Sequence, residues 1–149
     1  VEGVTVTLEG AGTRTAHTDN NGGFTLSRLP LADYQLSFSK VGEQDGISAL
    51  DAALVLRHFV GLETLSGPSL IAADVDRNGQ VSPMDAFRIL QHSAGLQDIS
   101  IPGGGVAWVF EPPTRNYTEL SQNLSGQDAN AILLGDVSGN WNSTTQQGD

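Results

Sequence analysis

Asp74-Val75-Asp76-Arg77-Asn78-Gly79-Gln80-Val81-Ser82-Pro83-Met84-Asp85 is the stretch on which the reading of this chain turns. Its oxygen-bearing side chains fall at the first, third, fifth, ninth and twelfth places. Gly79 takes the sixth, where the chain must bend sharply. Gln80 at the seventh offers its backbone carbonyl. That spacing wraps hard oxygen donors around one point, which is what Ca2+ requires, since it takes six to eight such ligands. The candidate ligands are Asp74, Asp76, Asn78, Gln80, Ser82 and Asp85. The alternative is an Asp- and Asn-rich turn that only caps a helix. Ser82 followed by Pro83 is itself a helix start, with serine as the cap and proline at the first helical position.

Outward from this loop the sequence repeats. Asp51 stands 34 residues before Asp85, and Ser48, Ala52, Leu56, His58, Gly61 and Leu62 match Ser82, Ala86, Leu90, His92, Gly95 and Leu96 at the same offset. Each copy predicts a helix. Residues 47–60 place Ile47, Leu50, Leu54, Val55 and Phe59 at helical spacing, and Phe87, Leu90 and Ala94 fall on one side of the other helix. Gly61 and Gly95 mark the ends.

The first copy lacks the front of its loop. Lys40, Gly42 and Gln44 stand where Asp, Asp and Asn are wanted, and a lysine there repels a cation. A matching front half occurs far downstream, as Asp136-Val137-Ser138-Gly139-Asn140, with Trp141 where glycine is wanted. Either these are unrelated relics, or Asp136, Ser138 and Asn140 join Ser48 and Asp51 in a second, split site for Ca2+. Asp45 then contributes a ligand or stands behind one.

The first 40 residues read as strands. Val4, Val6 and Leu8 alternate with polar residues, Thr13–Thr18 is a polar strand, and the alternation resumes at Phe24 and Leu26 and again at Tyr34, Leu36 and Phe38. Asp19–Gly23 and Leu29–Asp33 are turns. In the last third, Val106–Phe110 and Asn130–Val137 are strand candidates and Glu111–Gly126 reads as a polar loop.

The formal charge is -10, from 7 Lys and Arg against 17 Asp and Glu. Such a surface repels nucleic acid and anionic lipid and draws divalent cations. With no cysteine there are no disulfides and no thiolate sites. No run approaches the roughly 18 apolar residues of a membrane helix. The chain opens at Val1 without Met, as a processed product or a fragment would. No nucleophile-elbow motif frames a catalytic serine, and Gly103-Gly104-Gly105 lacks the lysine of a phosphate loop. The chain therefore reads as a module rather than an enzyme. Trp108, Phe110 and Trp141 are either core aromatics or a sugar platform. Asn116, Asn123 and Asn142 each begin a glycosylation sequon.

Two resemblances follow. Residues 40–98, with tandem loop-helix copies and Asp rather than Glu at the twelfth place, resemble a dockerin. That implies calcium binding, secretion and a cohesin-like partner, read by Ala49, Leu50, Pro83, Met84, Arg57 and Gln91. Gly3–Leu8, Thr18–Leu26 and Tyr34–Leu36 resemble the carboxypeptidase-regulatory-like, or prealbumin-like, β-domain, which implies a sandwich of about seven strands. The expected architecture is α+β. Residues 1–40 form the first half of an Ig-like or prealbumin-like sandwich, 41–98 the dockerin-like helical pair, and 99–149 strands that complete the sandwich within the chain or in a neighbour. Completion in a neighbour implies a calcium-stabilised extracellular homopolymer, a fibre or surface assembly built by strand addition. The other expectation is a module that plugs into a cohesin-like protein.

Overall fold

A computed structural model describes residues 1–99 and 107–141. Its elements are β1 (Thr5–Gly10), β2 (Gly12–His17), β3 (Ala32–Ser39), α1 (Ala49–Phe59), α2 (Gly67–Ala73), α3 (Pro83–Ser93), β4 (Trp108–Glu111), β5 (Thr114–Leu120) and β6 (Asn130–Leu133). They divide into two compact units. One holds Val1–Lys40 with Phe110–Ala131; the other holds Val41–Val109 with the chain from Ile132 onward.

The first unit is a four-stranded antiparallel sheet in the order β2-β1-β3-β5. The alternation read from the sequence sets the register: Val6 lies opposite Phe38 and Leu8 opposite Leu36. Val6, Leu8, Tyr34 and Leu36 are buried, while the polar strand β2 is exposed along most of its length. Burying each such aliphatic side chain contributes about 1.5–3 kcal/mol, so that face needs a cover. Aromatic rings supply part of it. Phe38 stacks on Phe110 with centroids 5.8 Å apart, and Phe24 meets Phe38 edge-on at 6.2 Å. At the β1–β2 turn the backbone passes close to β3, and a Cβ on Gly10 would run into the Asp33 carbonyl and the Tyr34 ring.

Among the described residues this unit holds one four-stranded sheet, which does not confirm the expected seven-stranded sandwich. Phe24 and Leu26 lie in no strand, because residues 18–31 follow an irregular path opened by an Asp19 turn. Asp19 Oδ1 accepts from Asn21 N and Gly23 N at 2.9 and 2.8 Å, satisfying donors that a strand would have paired. The strand that extends the sheet is β5, inside the segment expected to be a loop. Its polar sequence suits an edge with one side in water. The two apolar candidates pair with each other instead, as β4 with β6. The strands expected to be spare are thus paired within the chain, and self-assembly by strand addition is unsupported.

In the second unit, α1 and α3 pack together. Each buries only a narrow stripe: Asp51, Ala52 and Val55 on α1, and Asp85, Ala86 and Ile89 on α3, at matching places of the repeat. Leu50, Phe59, Phe87 and Leu90, expected to face the core, are exposed. Small Ala52 and Ala86 in the stripe suit a close approach of the two helices, and that approach leaves the larger side chains outside. Both helices end alike. Leu62 N donates to Arg57 O and Leu96 N to Gln91 O, with Gly61 and Gly95 at positive φ. Among the described residues the expected pair becomes three helices, since α2 starts after a Ser66 cap with Pro68 in its first turn.

The tail expected to complete the sheet as one piece divides: Phe110–Ala131 joins the β unit, and the chain from Ile132 onward joins the helical unit. Val106 of the expected strand, Gly103–Gly105, the Asn142 sequon and the tail Gln146–Asp149 lie outside the described residues.

Candidate metal centre

Asp74 caps the C-terminus of α2, and Ser82 caps the N-terminus of α3, so the loop between them is pinned at both ends. Arg77 and Gly79 take positive φ of 58° and 88° and fold the chain inward. Asn78 N and Gly79 N then donate to Asp74 Oδ1 and Oδ2, at 3.1 and 2.9 Å. Gln80 N donates to Asn78 Oδ1 at 2.8 Å. Asp85 is fully buried and closes the loop from the helix side. Its Oδ1 accepts from Val75 N at 3.0 Å and Asp76 N at 3.4 Å; its Oδ2 accepts from Ser82 N and Oγ at 2.9 and 3.0 Å.

These bonds gather the carboxylates. One oxygen from each of Asp74, Asp76 and Asp85 lies within 4.8 Å of the others. Calcium binds oxygens at about 2.3–2.6 Å, so two of its ligands stand at most about 5 Å apart. The donor set is all hard oxygen and the spread fits, so the residues suit a calcium ion. The Arg88 guanidinium, 3.7 Å from Asp76 Oδ2, offsets part of the crowded charge.

The structure also brings the split residues together, with five of the same bonds. Asn140 N and Trp141 N donate to Asp136 Oδ1 and Oδ2 at 3.1 and 3.0 Å, as Asn78 N and Gly79 N do to Asp74. Ser138 N donates to Asp51 Oδ1 at 2.8 Å, the counterpart of Asp76 N to Asp85. Ser48 N and Oγ donate to Asp51 Oδ2 at 2.8 and 3.0 Å, matching Ser82 and Asp85. Gly139 has φ 70°, where Arg77 has 58°. Asp51 is fully buried and Asp136 nearly so. Asp45 is exposed. The sequence reading overlooked Gly46, which matches Gln80 at the 34-residue offset and sits against Asn140 and Trp141. Lys40, at the sequence's nominal first place, belongs to the β unit and donates to Glu2 O at 3.0 Å.

The aromatic candidates are structural. Trp108 is buried, meets Trp141 edge-on at 5.0 Å, and donates its Nε1 to Gly42 O; Trp141 Nε1 donates to Glu43 O. Phe110 is in the β-unit stack. None forms an open platform for a sugar. His58 Nδ1 accepts from Leu65 N at 3.1 Å, and His92 Nε2 is 3.4 Å from Gln44 O. Of the sequons, Asn116 lies exposed on β5 and Asn123 exposed in the loop that follows.

α3 is led by an oxygen-rich loop closed by the buried Asp85, and α1 repeats its serine cap and buried aspartate at Ser48 and Asp51. Residues 43–92 match the model of the dockerin type I domain. Dockerin domains bind Ca2+ and cohesins, and they occur in secreted or cell-surface proteins. The match ends well before Asp136 and leaves the β unit outside, so the prealbumin-like resemblance of residues 1–40 gains no support. No curated protein and no solved structure matches the chain. Among the described residues, no helix is long and apolar enough to cross a membrane.

Proposed function

We propose that this chain is an extracellular binding module, not an enzyme. Calcium at Asp74, Asp76, Asn78, Gln80, Ser82 and Asp85 fixes its helix pair, which docks onto a cohesin-like partner. The carrying observation is an apolar surface that repeats with the sequence. Leu50 and Met84 are 57% and 54% exposed, Leu56 and Leu90 40% and 43%, and Leu62 and Leu96 75% and 76%. A helix pair that leaves matching large side chains in water at both copies is better explained by a partner than by its own core. Calcium supports this surface because Ser82 and Asp85 belong both to the loop and to the α3 cap. The non-enzymatic reading is supported by the histidines, since His58 and His92 are engaged by backbone groups and His17 by Thr5.

The test is calorimetry against a panel of type I cohesin modules, in calcium and then in EDTA. Calcium-dependent binding, abolished by Leu50→Asp combined with Met84→Asp, is the expected result. A calcium-loaded, folded protein that binds no member of the panel overturns the docking reading.

A further inference from the structure

The front half of the first loop is missing from its own repeat, yet Asp51 keeps the burial and the hydrogen bonds of a loop-closing residue. We propose that the chain rebuilds this loop from its distal segment. Asp136, Ser138, Asn140, the Gly46 carbonyl, Ser48 and Asp51 form a second calcium site that clasps two stretches more than 80 residues apart. The inference rests on the calcium reading above, and adds donors that lie outside the dockerin-matched residues.

Three observations carry it. Five scaffold bonds of the contiguous loop recur at corresponding atoms although the chain is broken between Trp141 and Gly46. The break is closed tightly: a Cβ on Gly46, whose φ is 90°, would stand 2.8 Å from Asn140 Oδ1 and 3.2 Å from Trp141 Cα. The seventh-place carbonyl thus reaches the fifth-place side chain because residue 46 is glycine. Finally, a terminal atom of the Asn140 amide lies 2.9 Å from Gly46 O and 3.2 Å from Asp136 Oδ1, so the fifth-place side chain, the seventh-place carbonyl and the first-place carboxylate converge on one point.

The split site has two carboxylates against three in the contiguous loop, so it is the weaker of the two. It also has its own reporter. Trp141 occupies its sixth place, and the chain's other tryptophan, Trp108, touches Trp141.

The experiment uses the full chain, stripped with EDTA and titrated with calcium ion, followed by calorimetry and tryptophan fluorescence. Two ions per chain are expected, the weaker one changing the fluorescence. Asp136→Asn should bind one ion and lose the fluorescence response. Asp74→Asn should lose the other ion and keep the response. Asn140→Ala, at an exposed position, should weaken the second ion by at least about tenfold. A wild type that binds one ion without a fluorescence change overturns the split site. So do Asp136→Asn and Asn140→Ala variants that titrate as wild type. A single ion lost in Asp74→Asn leaves the contiguous site standing, whereas a wild type that binds no calcium removes both.

Discussion

Chelating calcium should lower the melting temperature of the helical unit and leave the β unit nearly unmoved. Every candidate donor, from Gly46 to Asp51, Asp74 to Asp85 and Asp136 to Asn140, lies in the helical unit. One ion held at a free concentration 100 times its dissociation constant stabilises the folded state by about 2.7 kcal/mol. For a unit of under about 100 residues that shifts the midpoint by roughly 10–20 °C. Without the ion, three carboxylates remain within 4.8 Å. Each pair repels by at least about 3.5 kcal/mol at an effective dielectric of about 20, less where water reaches Asp74 and Asp76. The assay is built into the composition. Trp108 and Trp141 fall in the helical unit, and Tyr34 and Tyr117 in the β unit. Tryptophan emission against tyrosine absorbance therefore follows the two separately. A tryptophan-reported midpoint that is the same in calcium and in EDTA refutes the reasoning.

Three further outcomes are expected. Ile89→Ala, at a fully buried position between α1 and α3, should cost about 2–5 kcal/mol in a urea melt read by tryptophan, with the tyrosine signal little changed. Gly46→Ala should cost roughly 1–3 kcal/mol in the same melt, since it meets both a positive φ and the Asn140 side chain. Burial pushes the Tyr117 hydroxyl above its ordinary value of 10.0, partly opposed by the positive charge of Arg115, while the hydroxyl donates to Gln127 Oε1 at 2.8 Å. Above pH 10 the unfolded chain therefore loses this proton first, and its contribution to β-unit stability, full below that pH, falls as pH rises. Tyr117→Phe should flatten the alkaline limb of a stability profile.

Legibility varied with how local the cause was. The contiguous loop and α3 were readable because cap, glycine turn and closing aspartate sit within twelve residues. The β1–β3 register was readable from period two alone. β5 was not, because an edge strand needs few apolar residues and Thr114–Leu120 offers little but Tyr117 and Leu120. The helix periodicity was real but pointed the wrong way. Leu50, Phe87 and Leu90 follow core spacing and lie outside, since a stripe with two alanines suffices for packing α1 on α3. Gly46 was missed although the 34-residue offset from Gln80 names it. Its role comes from a neighbour distant in sequence, and no local signal carries that.

The broken first loop also sets an order of events during synthesis. Ser138 follows Asp51 by 87 residues, which at about 5–20 residues per second is roughly 4–17 s of translation. Through that interval the start of α1 has its cap but not its loop, whereas the contiguous loop is complete as soon as α3 emerges. If the split site binds as proposed, a nascent chain halted before Asp136 would load one ion and a chain extended past Asn140 two. The second ion would then be acquired only after residues 1–40 and 110–131 of the β unit had been made.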